Sequence, residues 1–317
     1  MSDSTAIALT DETPEGVVAV TVKTKDGRDA RALVPTELAE RFPSMGQADE
    51  LAELLAEVFE DRDETLSVAD LPRAKVPSGE AKSFQIGDDD PVRYIKGIIV
   101  VRQERRNYWE KSISEGGGGQ APDCFSRDGV HGQGVNGQGS ADNPTGLCAD
   151  CPFGQWSENG DDRVPPPCKP QEAVLVLTEE SAFPLLLTVP RTSQKALRDY
   201  VKRTLLAKKM KSPVEVVTKI GMRQEQNVDK VTYNILTFEI DEDITAGMTP
   251  AQKRAYKLAP LALGEEFKKI LVNIDTSRDT EAPERQNTSG VTVDDEGGFS
   301  IADDDDIAAE YAEQSAG

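Results

Sequence analysis

All four cysteines of this chain fall within 45 residues, in a stretch with little else to fold around. Cys124, Cys148, Cys151 and Cys168 follow the spacing C-x23-C-x2-C-x16-C, scattered among runs of glycine and proline such as Gly116–Gly119 and Pro165–Pro167. A loop of that composition, here residues 116–170, buries no core of its own and stays ordered only when something staples it. Cys148-Ala149-Asp150-Cys151 lets two thiolates face one ion at about 2.3 Å, and Cys124 and Cys168 complete a tetrahedron. One structural Zn2+ is therefore expected. A closed shell of four thiolates leaves no position for a reactive water, so the metal stabilises and does not catalyse. Two alternatives stand beside it. Two disulfides would suit an oxidising compartment, and free or redox-active thiols would suit Cys-x-x-Cys chemistry, although no βαβ pattern surrounds the pair. His131, the single histidine, is either a solvated loop residue or a replacement for Cys124 as fourth ligand.

Charge is the second constraint. The 317 residues carry 36 Lys+Arg against 57 Asp+Glu, a net charge of −21, which by itself argues against a polyanion ligand. Its distribution argues the opposite. Residues 1–90 hold −12 and residues 272–317 hold −11, whereas residues 91–271 hold +2. From Arg191 to Lys211 there are eight basic residues against Asp199 alone. A basic centre between acidic ends is the pattern of a polyanion-binding core with acidic tails. Hydrophobic residues at 37% and aromatics at 5% are lean, so part of the chain is expected to be solvated linker or tail.

Hydrophobic patterning divides the chain into four regions. Residues 1–60 read as a small acidic accessory region with strands over Val17–Lys23 and near Ala30–Val34. An amphipathic helix follows over about 48–60, where Leu51, Leu54, Leu55, Val58 and Phe59 repeat at helical spacing. Residues 61–90, rich in charge, proline and glycine, read as a linker. Residues 91–275 are an α+β, strand-dominated core with strands over 93–109, 173–178, 184–189, 214–223 and 230–240. A helix over 192–210 is capped by Thr192 or Ser193, and a last helix starts at Thr249-Pro250 and ends before Asp275. Residues 276–317 read as a disordered acidic tail. No run approaches the roughly 20 apolar residues of a membrane span, and the first residues lack a signal-peptide pattern, so a cytoplasmic protein without a membrane partner is expected.

Enzyme motifs fail their context tests. Gly132-Gln133-Gly134-Val135-Asn136-Gly137 matches G-x-G-x-x-G but neither follows a strand nor opens a helix. The zinc-deaminase signature is absent, because Leu147 precedes the cysteine pair and Val130-His131-Gly132 carries no acid. A non-enzymatic protein is expected. Single strands are held by cations that track phosphates and by aromatic rings that stack on bases. Arg102, Arg105, Arg106, Tyr108, Trp109, Lys111, Trp156 and Lys169 supply such groups around the cysteine loop, and Lys195, Arg198, Lys202 and Arg203 supply them along the basic helix. The structural alternatives are a minicore on the loop for the tryptophans and a plain solvated face for the lysines. Tyr108 and Trp109 are neighbours on a strand, so they point to opposite faces.

This combination resembles the phage single-stranded DNA-binding proteins, in particular the helix-destabilising proteins of T-even phages. The resemblance is carried by the metal loop in a strand-based domain, the Arg/aromatic interleaving and the acidic C-terminus. Pro122-Asp123-Cys124-Phe125-Ser126-Arg127-Asp128-Gly129 and the Cys148–Ser157 segment also resemble a pattern recurrent in phage proteins. The resemblance implies an OB-like β-barrel over about 91–240 with the zinc loop inserted and helices at its periphery. It implies single-stranded DNA as ligand in replication or recombination. It also implies a tail, at Asp303, Asp304, Asp305 and Asp306, that recruits replication proteins and competes with DNA. From another class, a zinc-stapled adaptor for replication or transcription machinery fits the same residues.

Overall fold

The computed structural model describes residues 13, 15–24, 27–48, 50–51, 71–77, 81–87, 89–110, 122–134, 143, 145–159, 162–164, 166–226, 232–273, 291–293 and 299–301. Its spine is β5 (Ile95–Tyr108), a β-branched run long enough to serve several partners. On one side β5 pairs antiparallel with β10 (Lys169–Leu177), which pairs with β11 (Leu185–Val189). On the other, its first residues pair with β12 (Val216–Gln226), which forms a long hairpin with β13 (Thr232–Asp243). Two short strands, β3 (Arg73–Lys75) and β4 (Gln85–Ile86), complete the order β13-β12-β5-β10-β11-β3-β4, with β3 parallel to β11. The expected linker over 61–90 thus contributes two strands and the buried Leu71, Ala74 and Phe84. Both strands are too short to leave a periodic signal. Residues 61–70 lie outside the described residues.

The sheet is open, which corrects the expected OB-like barrel: among the described residues no pairing joins β13 to β4. The reason lies in β10, whose Ala173–Leu177 run is buried on every residue. A strand apolar on both faces needs a layer over each, and a small barrel covers only one face with its own interior. Ala173, Leu175 and Leu177 enter one core with Val20 and Val34 of the N-terminal hairpin β1 (Val17–Lys23) and β2 (Asp29–Pro35). That core also takes Phe42 and Met45, and Tyr256, Leu263 and Phe267 from the last helix. Val174 and Val176 enter the other, with Leu197, Tyr200, Val201 and Leu205 of the basic helix. Each fully buried side chain of this size contributes about 1.5–3 kcal/mol. Opposite Leu175 and Val176 the register jumps from Val101 to Ile99, so Val100 is the extra residue of a bulge. Beyond it Val101, Gln103, Arg105 and Asn107 are buried in alternation, and the side chains between them turn to the other face.

Two short helices, α1 (Thr36–Arg41) and α2 (Pro43–Gly46), follow the hairpin, and helical backbone recurs at Ala48 and Leu51. The rest of the helix expected over 48–60 lies outside the described residues. The basic helix, α3, starts at Arg191 and widens from α to π hydrogen bonding over Tyr200–Lys209. Ser193 is not its cap. The hydroxyl is buried and accepts the backbone N–H of Leu236 at 2.9 Å, closing an edge group of β13 that would otherwise lack a partner. Leu206, within the wider segment, is 51% exposed. The last helix, α4 (Pro250–Asn273), begins as expected. Thr249 Oγ1 accepts the N–H of Gln252, whose side-chain oxygen accepts the N–H of Thr249. Between β5 and β10 lie the short strands β7 (Gln133–Gly134), β8 (Ser157–Asn159) and β9 (Asp162–Val164), the last two paired with each other. Within the expected tail, Val291–Val293 and Phe299–Ile301 pair as β14 and β15. No described helix is long and apolar enough to cross a membrane.

Candidate nucleic-acid interface and cysteine site

The far end of β5 organises the cysteine loop. β6 (Cys124–Ser126) pairs with it so that Cys124 lies opposite Tyr108, and β10 enters on the other side with Lys169 opposite Asn107, one residue after Cys168. Cys124 thus lies across from Tyr108 on β6, and Cys168 immediately precedes β10. The Cys148–Cys151 turn docks between them: Cys148 donates its N–H to Val130 O at 2.8 Å, and Cys168 donates to Phe153 O at 2.9 Å. Gly132 closes the cluster. A Cβ there would stand 3.2 Å from Cys124 Sγ and 3.7 Å from Cys148 Sγ, so the chain passes this near the sulfurs only without a side chain.

All four thiols are free; Cys148 and Cys168 are buried, Cys124 and Cys151 half-buried. Burial, followed by Cys148 and Cys151, pushes the Cys124 thiol up to about 11. Burial pushes Cys168 up to about 12, against the opposing pull of Arg106 and with added repulsion from the other three cysteines. Four mutually repelling soft sulfur donors are the chemistry that a Zn2+ ion neutralises. As the side chains stand, no set of three or more described His, Cys, Asp or Glu residues forms a metal-holding group. His131 is exposed and held by Asp128, with Nδ1 2.7 Å from the carboxylate. Burial would raise the Asp128 pKa, but His131, the backbone N–H of Val130 and Ser126 hold it well below the usual carboxylate range.

The aromatic candidates separate. Tyr108 stacks on Phe153 with ring centroids 4.6 Å apart and planes 13° apart, so its ring belongs to the minicore of the loop. Trp109 is half-buried, while Trp156 is 46% exposed. The arginines separate too. Arg105 is corrected from a phosphate contact to a buried structural residue: it is 7% exposed and donates to Leu271 O in α4 at 2.8 Å, on the inward parity of β5. Arg102 is paired with Glu172 at 2.6 Å and Arg106 with Glu104 at 2.8 Å. Lys169 is half-buried, its ammonium pKa lowered by burial and then by Arg191. Lys195, Arg198, Lys202 and Arg203 are all exposed along α3, with Arg203 reaching Asp199 at 3.3 Å. Lys111 and Asp303–Asp306 lie outside the described residues.

Gln194 of α3 donates to Pro170 O at 2.9 Å, which brings the start of the basic helix beside the strand that leaves Cys168. The sequence reading missed Tyr94, exposed at the entrance to β5 with Lys219 Nζ 4.1 Å from its ring centroid. Its signal was present as an aromatic between Arg93 and Lys96. Compared with family models, curated proteins and solved structures, the chain matches none.

Proposed function

We propose that the protein binds single-stranded DNA without catalysing a reaction on it, and serves phage DNA replication or recombination in the host cytoplasm. The outward face of α3 carries this reading. Leu197, Val201 and Leu205 are buried, and Lys195, Arg198, Lys202, Lys208 and Lys209 are left exposed together in a chain of net charge −21. A cation row of this kind suits a phosphodiester backbone, and the exposed Trp156 suits a stacked base. One structural Zn2+ on Cys124, Cys148, Cys151 and Cys168 fits the same reading, because it would tie the loop to the end of β5. The acidic tail at Asp303–Asp306 would recruit replication partners and compete with DNA for the basic face.

Tryptophan fluorescence titrated with oligo-dT at two salt concentrations tests the proposal. With roughly five phosphates neutralised, log K should fall against log salt with a slope of about −3.5. No quenching even near 20 mM salt (roughly the floor for such a titration) would sink it. A second reading, a protein-interaction adaptor, is favoured by Leu206 and Met210, 51% and 88% exposed at the end of α3. Replacing both with serine would then abolish partner capture and leave oligo-dT affinity unchanged.

A further inference from the structure

We propose that Tyr94 is a nucleobase-stacking platform on the sheet face opposite α3, with Lys219 and Arg93 serving the neighbouring phosphates. The proposal rests on the single-stranded DNA reading and extends it to a surface the basic helix does not occupy. Tyr94 is 44% exposed, much as Trp156 is. Its ring lies against the backbone of β12 at Gly221. A Cβ at that glycine would stand 3.1 Å from Cδ1 and Cε1 of the ring and 3.1 Å from Thr237 Oγ1. Glycine is thus what lets the ring lie close to the strand. Ile220 points into the core beneath α3, so its neighbours Lys219 and Gly221 face the other side of the sheet.

Two cations attend the ring: Lys219 Nζ at 4.1 Å and Arg93 Cζ at 5.7 Å from the centroid. The cations lie at the ring on which a base would stack, where cation and stacking contributions occur together in single-strand grooves. When a base takes the ring face, the Lys219 ammonium moves to an adjacent phosphate and the positive charge stays in the complex.

The test compares wild type, Tyr94→Ala, Tyr94→Phe and Gly221→Ala against oligo-dT and against an abasic oligonucleotide of equal length, with a thermal melt of each protein. Tyr94→Ala should weaken oligo-dT binding by about five- to a hundredfold, Tyr94→Phe should bind like wild type, and abasic binding should be the same for all. Gly221→Ala, which displaces the ring while keeping it, should lose the same preference for bases. Unchanged oligo-dT binding in Tyr94→Ala overturns the platform, as does an equal loss on both oligonucleotides. Wild type that binds both oligonucleotides equally overturns the platform but leaves the polyanion reading intact. Wild type that binds neither ends both.

Discussion

At the residue scale, strand parity decides which cations can meet a ligand. Arg105 and Arg106 are adjacent in sequence, yet one is enclosed against α4 and the other stands beside the cysteines. No local pattern distinguishes them, because the parity of β5 is reset by the bulge at Val100. Ion pairing then removes charge that the sequence displays as free, as Glu172 does for Arg102. Asp243 shows how such pairs respond to pH. Burial would raise its pKa, but the Lys211 ammonium at 2.7 Å and Thr245 hold it below the ordinary carboxylate value. A folded pKa below the unfolded one, about 3.9, stabilises the protein above that pH and is lost as pH falls through the folded value. Asp243→Asn should therefore lower stability at pH 7 by at most about 1 kcal/mol, since the pair is partly exposed. Denaturant melts should show the gap to wild type closing below about pH 4; a gap independent of pH would contradict the pair.

At the element scale, regular patterns were legible and short or enclosed ones were not. The β-branched run of β5, the hairpin β1–β2, and the capped start of α4 all follow from spacing and cap chemistry. The strands β3 and β4 did not, because two or three residues carry no period and depend on β11 for their pairing. The start of α3 was misread for a related reason: Ser193 looks like a cap locally, and its hydroxyl is taken by a strand distant in sequence. Helix-to-sheet approach is likewise invisible in sequence. At Gly264 a Cβ would stand 2.7 Å from Val100 O, so α4 lies on β5 as closely as a glycine allows. Gly264→Ala should lower stability by about 1–3 kcal/mol through overpacking, even though alanine is the better helix former. A thermal melt checks it, and an unchanged or raised midpoint would refute the close approach.

At the scale of the whole molecule, two hydrophobic clusters sandwich the sheet, and no cysteine belongs to either. The cysteine loop hangs from the end of β5 and β10, so the core should fold without the proposed zinc. Elemental analysis should find about one zinc per chain. After chelation, residues 116–170 should become sensitive to protease while the sheet keeps its cooperative melt. Global unfolding on chelation would show that the loop supports the core, and a metal-free protein with an intact, protected loop would remove the zinc. The cysteine spacing, the charge partition and the apolar runs were readable in the chain, because each is a local pattern of residue types. They indicated a strand-rich α+β core and the basic helix, and they placed the four cysteines in one loop. Whether the sheet closed, which arginines faced outward, and where an aromatic ring came to lie on a glycine depended on contacts between distant segments. Those contacts are set by layers covering both faces of β10, by one bulged residue in β5 and by the register of β12, and none of these leaves a local trace.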